Sequence, residues 1–133
     1  MAIQLSTAVR NARLDTIEST IGVSAVMRIR SGAAPADCAT ADSGTVLATL
    51  TLPSDWANAA SGGAKTKLGT WQDTSADATG TAAHFRIYDS SGVTCHIQGT
   101  VGLGSGDLSL DNTSIATGQT VTINTFTLTD GNA

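Results

Sequence analysis

The sequence predicts a mainly β protein, an antiparallel β-sandwich or partly open barrel with one N-terminal α-helix, and three observations carry that expectation. One hairpin, Ala83 to Gln98, is written out with its turn. Segments 24–30, 45–52 and 120–128 alternate apolar with polar side chains, the period of a half-buried strand. A helix of several turns is signalled near the N-terminus, where Ser6 suits an N-cap and Gly22 a terminator. The 133 residues fit one domain, with a helical segment over 1–22 and a β-domain over 24–130.

The helix is expected from about Thr7 to Ile21. Its apolar residues form two stripes: Leu5, Val9 and Ala12 on one side, and Leu14, Ile17 and Ile21 nearly opposite at about 100° per residue. Two arrangements stay open, a helix clamped between its own sheet and a neighbouring surface, or a helix that kinks or ends early. Arg10 and Arg13 stand neither three nor four residues from Asp15 or Glu18, so same-face ion pairs do not explain them.

Next, Ala25, Met27 and Ile29 share one face of a strand, with Val26, Arg28 and Arg30 on the other. Residues from Ser31 through Asp37 and beyond read as a loop. Thr45 to Leu52 resumes the alternation, with Val46, Ala48, Leu50 and Leu52 inward, and stops at Pro53. Ser54-Asp55 is read as capping a short helical turn over Trp56–Ala60, broken by Ser61-Gly62-Gly63. Lys65 to Gln72 reads as a strand and 73–80 as a polar turn region.

In the hairpin, Ser90-Ser91-Gly92 suits a three-residue loop with Gly92 in the left-handed position. Asp89 is then opposite Val93, Ile87 opposite Cys95 and Phe85 opposite Ile97. Arg86 with His96, and His84 with Gln98, fall on the other face. That register puts the apolar set inside and both histidines outside, with the second strand reaching about Val101. After Gly102–Gly106, Leu108 and Leu110 make a short strand. In the last strand Val121 and Ile123 differ in parity from Phe126 and Leu128, which predicts a bulge near Asn124-Thr125 or burial on both faces.

Only 4% of the residues are aromatic and 14% charged, against about 25% charged in an ordinary domain. Such a chain of small residues has a modest core, and support from a partner or from oligomerisation is expected. The net charge is −4; through Arg30, four arginines against Asp15 and Glu18 leave the first part mildly basic and the body acidic. An acidic chain without a dense basic patch or stacking aromatics excludes direct nucleic-acid binding. The basic N-terminal segment, with Arg10, Arg13, Arg28 and Arg30, suits docking on an acidic protein surface, or simply solvated arginines. No export signal opens the chain and no apolar run approaches the roughly 20 residues of a membrane span, so a protein kept soluble inside a cell is expected. Cys38 in a loop and Cys95 on the inward face of the hairpin are read as free thiols.

Catalytic chemistry finds little purchase. Cys95 and His96 are adjacent on one strand and point to opposite faces, which breaks a Cys-His-Asp arrangement with Asp89. His84 and His96 are offset across the hairpin beside Arg86, with no further ligand, so no metal is expected. Gly102 to Asp107 lacks the helix that a phosphate-binding glycine loop needs. Asp107, Asp111 and Asn112 have no calcium-loop spacing. No cofactor is expected. Trp56 and Trp71 are either partner-binding anchors or plugs in a small core.

Three stretches then become familiar: Met27-Arg28-Ile29-Arg30-Ser31-Gly32-Ala33-Ala34-Pro35, Gly44 to Leu52, and Thr74 to Ile87. With Gly106-Asp107-Leu108-Ser109-Leu110 and Gly118 to Ile123, they resemble a family of small proteins encoded among the head and tail assembly genes of tailed bacteriophages and prophages. The resemblance covers most of the chain and carries no catalytic motif. It implies a non-enzymatic structural protein of the virion, assembled in the host cytoplasm. Within that class a capsid decoration (cement) protein fits best, partnered by the major capsid protein or other virion subunits and forming a homo-oligomer. Its partner-binding residues would be Arg10, Arg13, Arg28, Arg30, Trp56 and Trp71. A tail, neck or baseplate subunit is the alternative. A carbohydrate-binding attachment module is a further one, and would need Trp56, Trp71 or Tyr88 exposed.

Overall fold

The computed structural model describes residues 3–131. One helix, α1 (Thr7–Ile21), is followed by ten strands: β1 (Val26–Arg30), β2 (Val46–Thr51), β3 (Ala64–Thr66), β4 (Gln72–Asp73), β5 (Gly80–Thr81), β6 (His84–Tyr88), β7 (Cys95–Leu103), β8 (Leu108–Leu110), β9 (Ser114–Ile115) and β10 (Val121–Thr129). The main sheet runs β2-β1-β6-β7-β8-β10-β3, with β4 also on β10 and β5-β9 forming a separate two-stranded ribbon. It curls into a half-barrel, the partly open barrel of the sequence-based expectation. The curl brings β4 back toward β2, where the Asp73 carboxylate accepts from the Thr49 amide at 2.9 Å and the Asp77 amide donates to the Leu47 carbonyl at 2.8 Å. Both groups occupy a strand edge that would otherwise be open.

The helix boundaries follow the caps. Ser6 Oγ accepts from the Val9 amide at 3.2 Å, and the Gly22 amide closes the last turn on Glu18. The helix is continuous from Thr7 to Ile21, so the early ending is not seen. Its Leu14 and Ile21 are buried and Ile17 packs on the core, while Val9 and Ala12 face outward.

One feature departs from the antiparallel expectation. β7 and β8 are parallel, although only residues 104–107 separate them. Parallel neighbours normally need a crossover of a dozen or more residues; here the chain doubles back twice. The Asp107 amide donates to the Thr100 carbonyl at 3.1 Å in the first reversal, and the Gly104 amide to Ser109 Oγ at 3.0 Å across the second.

The hairpin register also differs from expectation. Ile87 pairs with Ile97, Phe85 with Gly99, Arg86 with Gln98 and His84 with Thr100. This is a slip of two residues, which preserves which faces these residues take. The turn is wider by one residue, because Asp89 pairs with Thr94 rather than Val93, while Gly92 does take the left-handed conformation at φ 71°. A bulge between Ile87 and Tyr88 then sets Cys95 opposite Tyr88, moving Cys95 off the core face. The bulge expected in the last strand is present between Ile123 and Thr125. The helical turn expected over Trp56–Ala60 is replaced by extended chain: the Asn58 amide donates to Thr66 and the Leu68 amide to Trp56, each at 2.8 Å. Pairing with the edge of β3 satisfies those backbone groups better than one isolated helical turn could. The single strand expected over Lys65–Gln72 is divided into β3 and β4.

The core is strung on aromatic rings. Trp56 meets Trp71 at 6.1 Å between centroids, Trp71 meets Phe126 at 5.3 Å, and Phe126 meets Phe85 edge-on at 5.7 Å. Met27, Ile29, Leu50, Ile87, Leu108 and Ile123 fill the space around them. Each indole N–H is satisfied by a carbonyl, Trp56 by Gly22 and Trp71 by Leu68, both at 3.0 Å. Since Trp71 touches both neighbouring rings, Trp71→Ala is expected to lower unfolding free energy by about 4 kcal/mol. A shift in the urea midpoint at unchanged slope would show it.

Candidate functional site

Charged groups in this chain are concentrated under a loop. Residues 31–44 leave β1 and return to β2 with their ends tied: the Ser31 amide donates to the Thr45 carbonyl, and the Thr45 amide to Ser31 Oγ, both at 3.1 Å. Gly44 closes the loop at φ 73°, where a Cβ would lie 1.9 Å from the Ser31 carbonyl oxygen. The result is a compact Ω-loop, and it lies across the second face of the sheet. All five residues of β6 are therefore buried, His84 and Arg86 included. This corrects the expectation that both histidines face outward. His84 Nδ1 donates to the Gly32 carbonyl at 2.7 Å, while His96, at the bulge, lies beside Arg13 and Ile17 of α1.

Arg86 organises the loop. Its Nη2 donates to the carbonyls of Asp37 at 2.7 Å and Thr40 at 2.9 Å; Nε reaches Gln98 Oε1 at 3.1 Å, and Nη1 pairs with the Asp42 carboxylate. Asp42 also accepts from Tyr88 Oη at 2.8 Å and pairs with Arg30 at 2.9 Å. Gln98 Nε2 donates to the Pro35 carbonyl at 2.8 Å. Burial works against the Asp42 carboxylate, but hydrogen bonds from Arg86 and Tyr88 and the charges of both arginines outweigh it, so its pKa lies below the usual carboxylate range. Burial and the bond to Asp42 push the Tyr88 phenol up. Asp42 and Gln98 were given no site role from sequence, and Tyr88 was considered only as an aromatic for sugar binding. The sequence signal was only that Asp37 and Asp42 are the acids of the 31–44 loop; the side-by-side placement of Arg28 and Arg86 is set by the register of β1 and β6.

A second ionic centre docks the helix. Lys65 on β3 is 2% exposed and directs its ammonium to Asp15 and Glu18 at 2.8 Å each and to the Asn58 carbonyl at 2.9 Å. Burial alone would lower its pKa, but both carboxylates overcome that and raise it. An ammonium whose three hydrogens are all engaged has none for a ligand. It forms the floor of an open groove of about 690 Å³ between α1 and residues 54–59.

The expected partner-binding residues do not form one patch. Arg10 donates to the Asp130 carbonyl at 3.1 Å, and Arg13, 60% exposed, pairs with the Asp130 carboxylate at 3.2 Å; together they tie α1 to the end of β10. Arg28 donates to the Gly92 carbonyl at 2.8 Å and lies 4.8 Å over the Tyr88 ring, a cation–π contact. Arg30 is buried against Asp42. Trp56 and Trp71 are fully buried, as plugs rather than exposed anchors. Tyr88 is buried too, so none of the three aromatics offers a stacking platform for sugars. Among the described residues, no group of three or more His, Cys, Asp or Glu is placed to hold a metal ion, and no helix is long and apolar enough to cross a membrane.

No family model, curated protein or solved structure matches this chain.

Removing the Asp42 charge leaves two buried guanidinium groups without their carboxylate. Asp42→Asn is expected to destabilise the fold by about 3 kcal/mol. The folded pKa of Asp42 is depressed, so its contribution is complete above the unfolded value of about 3.9 and disappears as pH falls through the folded value. Denaturant titrations at pH 7 and pH 3 should therefore show a smaller gap between wild type and Asp42→Asn at the lower pH.

Proposed function

We propose that this chain is a structural subunit of a tailed-phage particle, a capsid decoration protein that docks through the outer face of α1. The observation that supports the reading is the two-sided helix. One stripe is used internally, with Leu14 at 3% and Ile21 at 6% exposure, while Val9 on the opposite side is 46% exposed and Ile3, just ahead of the helix, 86%. Isolated apolar side chains on a surface are ordinary; Val9 and Ala12, one turn apart on the outer side of α1, are what a helix held between two surfaces would present. The resemblance to phage head and tail assembly proteins supplies the partner, the capsid shell.

The ionic groups refine this reading. Arg28 and Arg30 are engaged inside the protein, so docking falls to α1 and its exposed Arg13. Each contact is small, and attachment would draw its strength from many symmetry-related copies and from bridging neighbouring capsid subunits. The mechanism is mechanical reinforcement of the shell, with the hydroxyl-rich sheet turned away from it.

Quantitative mass spectrometry of purified particles tests the reading. A copy number near that of the major capsid protein, or a simple capsomer fraction of it, is expected. A ring-sized handful would move the assignment to the neck or tail, and absence from particles would overturn it. Val9→Asp should leave the fold intact and weaken capsid binding about tenfold, measured by sedimentation with particles lacking the protein.

A further inference from the structure

The bulge in β7 has a chemical result. Residues paired across two strands share a face of the sheet, and without the extra residue His96, Cys95 would lie with Ile87 and Ile97 in the core. With it, Cys95 pairs with Tyr88. The Tyr88 hydroxyl reaches Asp42, and Gln98 on the same strand as Cys95 reaches the Pro35 carbonyl. Cys95 therefore stands on the face that the Ω-loop covers.

The loop is pinned to that face on both sides of Cys38. The Asp37 carbonyl, immediately before it, and the Thr40 carbonyl, two residues after it, both accept from Nη2 of Arg86. Arg86 is two positions along β6 from Tyr88, the partner of Cys95. Residues distant in sequence are thus set against one patch of sheet, where the Cys95 thiol donates to the Ile97 carbonyl at 3.4 Å and Cys38 is near enough to push the Cys95 pKa up. Both cysteines are reduced and only partly buried, so a small reagent has access to the pair.

We propose that Cys38 and Cys95 are a disulfide-forming pair, and that oxidation ties the Ω-loop covalently to β7. The co-reactant is a small-molecule disulfide. The Cys38 thiolate attacks one sulfur of the oxidant and expels the first thiolate, leaving a mixed disulfide on Cys38. Cys95, deprotonated in turn, attacks the Cys38 sulfur and expels the second. The two cysteine protons end on the two released thiols: the protein loses two hydrogens and the oxidant gains them. The order follows from environment. Cys95 sits on a strand with its thiol proton engaged by the Ile97 carbonyl at 3.4 Å, and burial, then the neighbouring Cys38 thiol, push its pKa up, so the loop-borne Cys38 takes the first attack and Cys95 the resolving step.

Oxidation would give the loop a second fastening, independent of the Arg86–Asp42 pair and therefore of acid. The inference concerns the chain itself and stands whichever assembly it serves.

The experiment uses the folded full-length protein with glutathione disulfide, followed by alkylation in denaturant and intact mass. The expected result is joint loss of both thiols, a mass lower by two hydrogens, a monomeric chain with no glutathione retained, and a Tm raised by about 5–10 °C. A phosphine reductant should restore both thiols, the original mass and the original Tm. Cys95→Ser should instead trap glutathione on Cys38. Should that variant not fold, the wild-type measurement decides alone: two thiols that remain alkylatable, a stable glutathione adduct, or bonds between chains would each overturn the proposal.

Discussion

A guanidinium group cannot shed its proton in a protein, so a buried arginine must be surrounded by acceptors. Arg86 imposes that requirement on this fold. It lies on the interior strand β6, whose other face is occupied by Phe85, Ile87 and the rest of the core. Gln98 on the neighbouring strand supplies one acceptor, and the 31–44 loop provides the rest as two carbonyls and one carboxylate. The loop's path, the burial of Tyr88 and the position of Arg30 all follow from meeting that need. The pair is not in itself an argument for high stability, because desolvating the charges offsets much of their attraction. Its effect is specificity: one loop conformation satisfies the arginine.

Local signals were legible in the sequence. Ser6 and Gly22 bounded the helix to the residue because capping is decided within one turn of chain. Gly92 marked the hairpin turn, and the parity break between Ile123 and Phe126 located a bulge because side chains alternate along any strand. The register of β6 and β7 was misplaced by two residues, since widening the turn by one residue and inserting one bulge shifts the pairing without disturbing the apolar pattern. The burial of His84 and Arg86 was not legible: it depends on a loop that crosses from another part of the chain, and no periodicity records what covers a polar face. The fate of Trp56 was also nonlocal. Ser54-Asp55 does resemble a cap, but the edge of β3 competes for the same backbone groups and prevails.

The same contrast governs the candidate sites. Arginines chosen from the basic N-terminal segment are, for the most part, internal fasteners: Arg10 and Arg13 bind the helix to Asp130, Arg28 grips the hairpin turn, and Arg30 shares Asp42. A chain so poor in large apolar residues uses its few cations where an ordinary domain uses leucine and phenylalanine. The outer side of α1 keeps Val9 and Ala12 exposed, a pattern that composition alone could not distinguish from a kinked helix.

The concealment of the cations reaches beyond the fold. Only two lysines are present; the Lys65 ammonium is buried against Asp15 and Glu18 of α1, and that of Lys67 rests on the Gly69 carbonyl at 3.0 Å with the residue half-buried. Of the five arginines, only Arg13 is exposed, and its backbone is helical. A trypsin-like protease needs a basic side chain on extended, accessible backbone, and the folded surface offers scarcely any. Trypsin-like cleavage of the folded chain is thereby limited by the placement of its charges. The same arrangement leaves Lys67 as the principal lysine for attaching an amine-reactive label while the fold is intact.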